Sequence, residues 1–113
     1  LSPLPSAWAG AGEAAKADET VTIVAKEFAF EPSRVKIELG QTVKIRLENE
    51  GVLAHNLTLE DAVKRTETIQ RGKKDAFVFT PEEPGEYRFH CAVPGHREAG
   101  MSGVLVVARS GAN

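Results

Sequence analysis

Cysteine, methionine, tryptophan and tyrosine each occur once in this chain of 113 residues, and histidine occurs three times. A single cysteine excludes an internal disulfide framework. It also excludes any zinc site that draws two or more cysteines from one chain. Neither sign of charge dominates: 14 Lys and Arg against 16 Asp and Glu give a formal net charge of −2. Without a strong positive field to neutralise phosphates, a general nucleic-acid or polyanion binder is not expected. Apolar runs are only a few residues long, far short of a bilayer span. Hydrophobic residues at 42% and charged residues at 27% are the mix of one soluble globular domain, with no room for a second core.

The chain changes character near Glu19. Residues 1–18, LSPLPSAWAGAGEAAKAD, are rich in Ala, Gly, Pro and Ser and lack a sustained period of 2 or 3.6. They read as a flexible linker or processed tail, and a tether to a membrane or to a larger protein fits them equally. Ala7-Trp8-Ala9 has the small-x-small form of a signal cleavage site, although the apolar stretch that should precede it is missing. The folded domain is expected over 19–110, with 111–113 as a C-terminal tail.

Within that domain the pattern is one of short strands. Val35-Lys-Ile-Glu-Leu39 and Val43-Lys-Ile-Arg-Leu47 alternate apolar against charged residues, so one face is buried and the other wet, as in an antiparallel sheet. Further strands are predicted at Thr20–Ala25, His55–Leu59, Thr66–Gln70, Asp75–Thr80, Gly85–Cys91 and Ser102–Arg109. Turn residues divide them at Glu31-Pro32-Ser33, Asn49-Glu50-Gly51, Arg71-Gly72-Lys73 and Pro81-Glu-Glu-Pro-Gly85. Glu60–Thr68 has room for a short helical turn. Seven to eight strands so closely spaced predict an all-β Greek-key sandwich or barrel.

The scarce residues cluster. Phe89-His-Cys-Ala-Val-Pro-Gly-His-Arg-Glu-Ala-Gly-Met101 holds the cysteine, the methionine and two of the three histidines. Cys91 ends a predicted strand, His96 follows in a Pro-Gly loop, and Met101 closes the loop where the last strand begins. His55 lies upstream at the start of another strand. Taken singly, a lone Cys is most often a small buried hydrophobe and a lone Met is core filler. Taken together, one thiolate, two imidazoles and one thioether are the ligand set of a mononuclear blue-copper site. A short loop can curl three donors around one ion while a distant strand supplies the fourth.

From about Val21 to Val107 the sequence resembles the cupredoxins, the small blue-copper fold of plastocyanin, azurin, amicyanin and auracyanin. The resemblance rests on Phe28-Ala-Phe30 with Pro32, Gly40-Gln-Thr-Val43, Asn49 ahead of His55-Asn56, Gly85-Glu-Tyr-Arg-Phe-His-Cys91, and the ligand loop into Gly103-Val-Leu-Val-Val107. It implies that His55, Cys91 and His96 are equatorial copper ligands, that Met101 is the weak axial ligand, and that Asn56 ties the two ligand segments together. The loop departs from the best-known types. Four residues separate Cys91 from His96, as in azurin, and four separate His96 from an Ala-Gly-Met ending like that of plastocyanin.

The implied function is one-electron transfer by Cu(II)/Cu(I) cycling, not enzymatic catalysis. Ser33, Ser102 and Ser110 have no evident base partner once His55 and His96 are committed to copper. Expected partners are redox proteins such as c-type cytochromes or a terminal oxidase or reductase, docking transiently near His96 on a monomeric chain. A copper-bound thiol is protected outside the cytoplasm, so a periplasmic or other extracytoplasmic location is expected. Competing readings are a copper-storage or copper-delivery protein, the cupredoxin module of a larger oxidase or reductase, and, weakest, a structural zinc domain. His90 alternates with Phe89 and Cys91 along its strand, so its side chain should point away from the copper.

Overall fold

The computed structural model describes residues 17–60 and 64–109, so the tail readings on 1–16 and 110–113 lie outside the described residues. Alternation sets the layers. In β4 (Val43–Asn49), Val43, Ile45, Leu47 and Asn49 are buried, whereas Lys44 is exposed. In β3 (Arg34–Glu38), Val35 and Ile37 are buried between three exposed charged residues. The remaining strands are β1 (Glu19–Lys26), β2 (Ala29–Glu31), β5 (Thr58–Leu59), β6 (Lys64–Arg65), β7 (Lys74–Phe79), β8 (Gly85–His90) and β9 (Ser102–Ala108).

They form two sheets, one ordered β2-β1-β4-β7 and the other β3-β9-β8-β5-β6. The buried faces meet in a core that includes Ile23, Ile45, Leu47, Leu57, Leu59, Phe89 and Leu105. Phe30 of the first sheet meets Phe89 of the second edge to face, with ring centroids 5.3 Å apart. Burying each such side chain contributes roughly 1.5–3 kcal/mol. The fold is therefore the all-β sandwich expected.

Four details differ from the sequence reading. First, β1 pairs with β4, and β3 with β9, in parallel, because alternation reports which face is buried and not which way a neighbour runs. Second, the strand expected over His55–Leu59 shrinks to β5, leaving His55 in a single bridge with Ile69. Third, the strand expected over Thr66–Gln70 does not form. The Thr66 hydroxyl accepts the Leu57 N–H at 3.0 Å and donates to the Glu67 carbonyl at 2.8 Å. A side chain thereby takes the place of one ladder bond, while the Thr66 N–H still donates to the Leu57 carbonyl at 3.0 Å. Fourth, where a helical turn had room, Lys64–Arg65 pair as β6 instead; residues 61–63 lie outside the described residues.

Topology gathers one pole. The register of β8 on β9 sets His90 opposite Ser102, so the loop between them leaves and returns at one place, and the Cys91 N–H donates to the Met101 carbonyl at 3.1 Å. Gly103 follows at once, and it has to be glycine: a Cβ there would run into the Phe89 ring and lie 2.5 Å from the Ser33 carbonyl. The end of β4 reaches the same pole through Asn49. So does the turn Glu27-Phe28, which joins β1 to β2 with Lys26 paired to Ala29.

Candidate metal centre

The four residues singled out from the sequence are all buried: His55, Cys91 and Met101 have no exposed surface and His96 keeps 7%. The Nδ1 atom of His96 lies 3.5 Å from Cys91 Sγ, and that of His55 lies 3.9 Å from it. The imidazole rings are tilted by 55° with centroids 5.0 Å apart. Among the described residues these three form the one group of His, Cys, Asp or Glu side chains able to hold a metal ion, with donor atoms within 4.8 Å of one another. Donors bonded to an ion at roughly 2.0–2.3 Å in a trigonal plane would sit roughly 3.5–4.0 Å apart, which matches both sulfur–nitrogen distances.

Local bonds set the loop that carries three of the four. The His96 N–H donates to Val93, Ala99 N–H to Gly95 and His96, Gly100 N–H to Arg97, and Met101 N–H to His96. Gly95 (φ 87°) and Gly100 (φ 106°) take the left-handed conformations these reversals need.

His55 is held from outside its own segment. Its N–H donates to the Ile69 carbonyl at 3.1 Å and its carbonyl accepts the Ile69 N–H at 2.9 Å. Asn49, 1% exposed, donates from Nδ2 to the Leu53 and Ile69 carbonyls at 3.0 and 2.9 Å and accepts the Gly51 N–H at 2.8 Å. Asn56 joins the two ligand segments, as the resemblance implied: its Oδ1 accepts the Ala92 N–H at 2.7 Å, and its Nδ2 donates to Thr68 Oγ1 at 2.9 Å.

The neutral state of His55 suits ligation. Burial pushes the His55 imidazolium below its ordinary range, with Glu27 opposing and His96 adding to the shift. The Glu27 carboxyl is held below the usual carboxylate range, chiefly by the Leu53 and Val52 N–H groups. A neutral imidazole beside an ionised carboxylate donates from Nε2 and keeps its lone pair on Nδ1. In His55 that lone pair is on the atom nearest Cys91 Sγ.

His90 points elsewhere, as expected from strand alternation. Its Nδ1 lies 2.9 Å from Glu60 Oε2, and Arg97 donates to that same oxygen at 3.2 Å. Sequence reading missed two residues. Glu27 and Phe28 reach His55 and His96 respectively, the Phe28 ring standing edge-on to His96 at 5.3 Å. The separation of 28 residues between Glu27 and His55 left no local signal of the contact, and Phe28 entered the sequence reading only in the Phe28-Ala-Phe30 stretch that resembles the cupredoxins.

A buried thiol facing two imidazole nitrogens, with a buried methionine closing the same loop, is the cluster of a type 1 copper site. The chain belongs to the family described as the cupredoxin-like domain, whose model matches residues 4–107. It is similar to the copper-resistant cuproprotein CopI of Rubrivivax gelatinosus, at 29% identity over 85% of this chain and 70% of that protein. Among solved structures it is similar to auracyanin A, a "blue" copper protein of Chloroflexus aurantiacus, with 26% identity, a TM-score of 0.69, and 79% of this chain and 98% of that one covered. It also shares the fold of the dithionite-reduced auracyanin of Roseiflexus castenholzii, with a TM-score of 0.73, 24% identity, and 81% of this chain and 98% of that one covered.

Proposed function

We propose that this protein is a one-electron carrier in which His55, Cys91, His96 and Met101 would hold copper, the thioether binding it most weakly. Copper supplies the Cu(II)/Cu(I) couple; the chain supplies a fixed, dry donor set that suits both states. The observation that carries this reading is the approach of both Nδ1 atoms to one buried sulfur, at 3.5 and 3.9 Å. Burial of all four side chains excludes water, and the bonds around Asn49, Asn56 and the loop keep the donors from rearranging. Soft sulfur favours Cu(I), while imidazole suits either state.

His96 is the donor that reaches the surface. Phe28, Val52 and Leu53 are the exposed large hydrophobic residues among those described. Phe28 touches His96, and the N–H groups of Val52 and Leu53 bind Glu27 beside it. Such a face suits a small, transient encounter with a redox protein such as a c-type cytochrome or a terminal oxidase or reductase. An extracytoplasmic, periplasmic setting fits a thiol protected by copper. The absorption spectrum of the oxidised, copper-loaded protein tests the reading. An intense visible band should bleach on reduction and be absent from Cys91→Ser; a colourless Cu(II) adduct would rule it out.

The likeness to a copper-resistance protein favours a second reading, in which the same site takes up or delivers copper. Exchange against a Cu(I) chelator separates the two. The buried donors predict slow release for a carrier of electrons, whereas rapid surrender of the ion would favour delivery.

A further inference from the structure

The two histidines of the site have unlike surroundings, and the difference originates in one turn. Glu27 stands at the tip of the β1–β2 hairpin. Its Oε1 accepts the Val52 N–H at 2.8 Å, and its Oε2 accepts the Leu53 N–H at 2.9 Å. The same Oε2 lies 3.3 Å from Nε2 of His55, a side chain with no exposure of its own. A carboxylate only accepts, so Nε2 carries the hydrogen and the tautomer of His55 is set. His96 has no carboxylate partner among the described residues; its neighbour from the same turn is the edge of Phe28.

The neighbouring segment leaves room for this contact. A Cβ at residue 51 would lie 2.8 and 2.9 Å from the two Glu27 oxygens and 2.9 Å from His55 Nε2. Glycine at 51 therefore lets the carboxylate reach both the backbone of the 51–53 segment and the imidazole. Phe28, the one non-glycine residue of left-handed φ (64°) among those described, turns the chain immediately after Glu27.

We propose that Glu27 is a positioning residue that makes His55 the more electron-rich of the two imidazole donors and biases the site toward Cu(II). The proposal rests on the copper-site reading given above. A carboxylate that accepts the outer N–H of a ligating histidine fixes the ring and raises the basicity of the other nitrogen. A more basic nitrogen donor stabilises the more highly charged ion more strongly, so the site binds Cu(II) in preference to Cu(I) by a wider margin than it would beside a neutral partner.

The test compares wild type with Glu27→Gln, which keeps the size of the side chain and removes its charge, and with Glu27→Asp, which keeps the charge and draws it back from His55. Cu(II) and Cu(I) affinities and the reduction potential are measured on the copper-loaded proteins. Glu27→Gln should weaken Cu(II) by about tenfold while leaving Cu(I) nearly unchanged, within the roughly 10–100-fold cost of losing such a partner. That ratio is a potential higher by about 59 mV for one electron. Glu27→Asp should shift it in the same direction by less. Equal weakening of both oxidation states, or an unchanged potential, would overturn the proposal and leave Glu27 a merely structural clamp. Nitrogen-15 spectra of the metal-free protein give a readout independent of copper: His55 should be the Nε2–H tautomer in wild type and a mixture in Glu27→Gln, and an unchanged tautomer would count against the proposal. If wild type lacked the visible band but showed the Nε2–H tautomer, the electron-carrier reading would fail while the Glu27–His55 contact stood.

Discussion

Cys91, His96 and Met101 sit on one loop whose shape is written in bonds between near neighbours, from His96 N–H to Val93 up to Met101 N–H to His96. His55 sits on a segment that Asn49 braces locally and that residues far along the chain pin in place: Glu27, Ile69 and, through Asn56, Ala92. The loop brings three different donors to one place. The framework opposite contributes a single donor but decides where the imidazole stands and which nitrogen carries the lone pair. A loop of this kind can vary in length and sequence at modest cost, whereas buried framework groups left without partners cost about 1–3 kcal/mol each.

That contrast can be broken on the framework side first. Asn49→Ala strips three bonds from a fully buried pivot: the Leu53 carbonyl and the Gly51 N–H lose the partner Asn49 gave them, and the Ile69 carbonyl keeps only the His55 N–H. It should lower stability by about 2–3 kcal/mol, read as a shift of the urea midpoint in the metal-free protein. A wild-type midpoint would show that the 49–56 segment is not the rigid member of the pair.

The next change cuts the tie between the two regions. Asn56→Ala removes the acceptor for the Ala92 N–H and the donor to Thr68. Its stability cost should be about 1 kcal/mol, but copper affinity should fall by about tenfold, because each region folds and their registration is lost. Chelator competition measures the second quantity, and a loss of stability with unchanged affinity would contradict the assigned role.

The smallest effect belongs to the outer side of the loop. Arg97 is more than half exposed where it meets Glu60 at 3.2 Å, and exposed pairs of this kind contribute about 0–1 kcal/mol. Arg97→Ala should move the midpoint by less than about 0.5 kcal/mol and leave the visible band unchanged. A change as large as that of Asn49→Ala would mean that long-range bonds, not local ones, shape the loop as well.

Much of the architecture was legible in residue patterns because burial obeys them. Lys36 and Lys44 are exposed where Ile37 and Ile45 are buried, and that alternation is present in the sequence before any fold exists. The ligand cluster was legible for a different reason: scarce residue types with soft or imidazole donors have few alternative uses as a set. Strand direction was not legible, since the alternation of β4 is compatible equally with a parallel neighbour, as β1 is, and an antiparallel one, as β7 is. The loss of the strand expected over Thr66–Gln70 was hidden as well, because the Thr66 hydroxyl competes for backbone partners only once Leu57 is beside it.

By itself, then, the sequence determined that this chain makes a two-faced β domain and that a thiol, two imidazoles and a thioether are the donor set proposed for its metal. Those properties follow from side-chain chemistry and spacing along a strand or a short loop. Only the tertiary structure decided that Asn49 and Glu27 hold the His55 segment, and which partners Asn56 uses for the tie that the family resemblance implied. Their bonds cross from one segment to another, and a bond of that kind exists only after the core has packed and brought the ends of β1, β4 and β8 to a common pole.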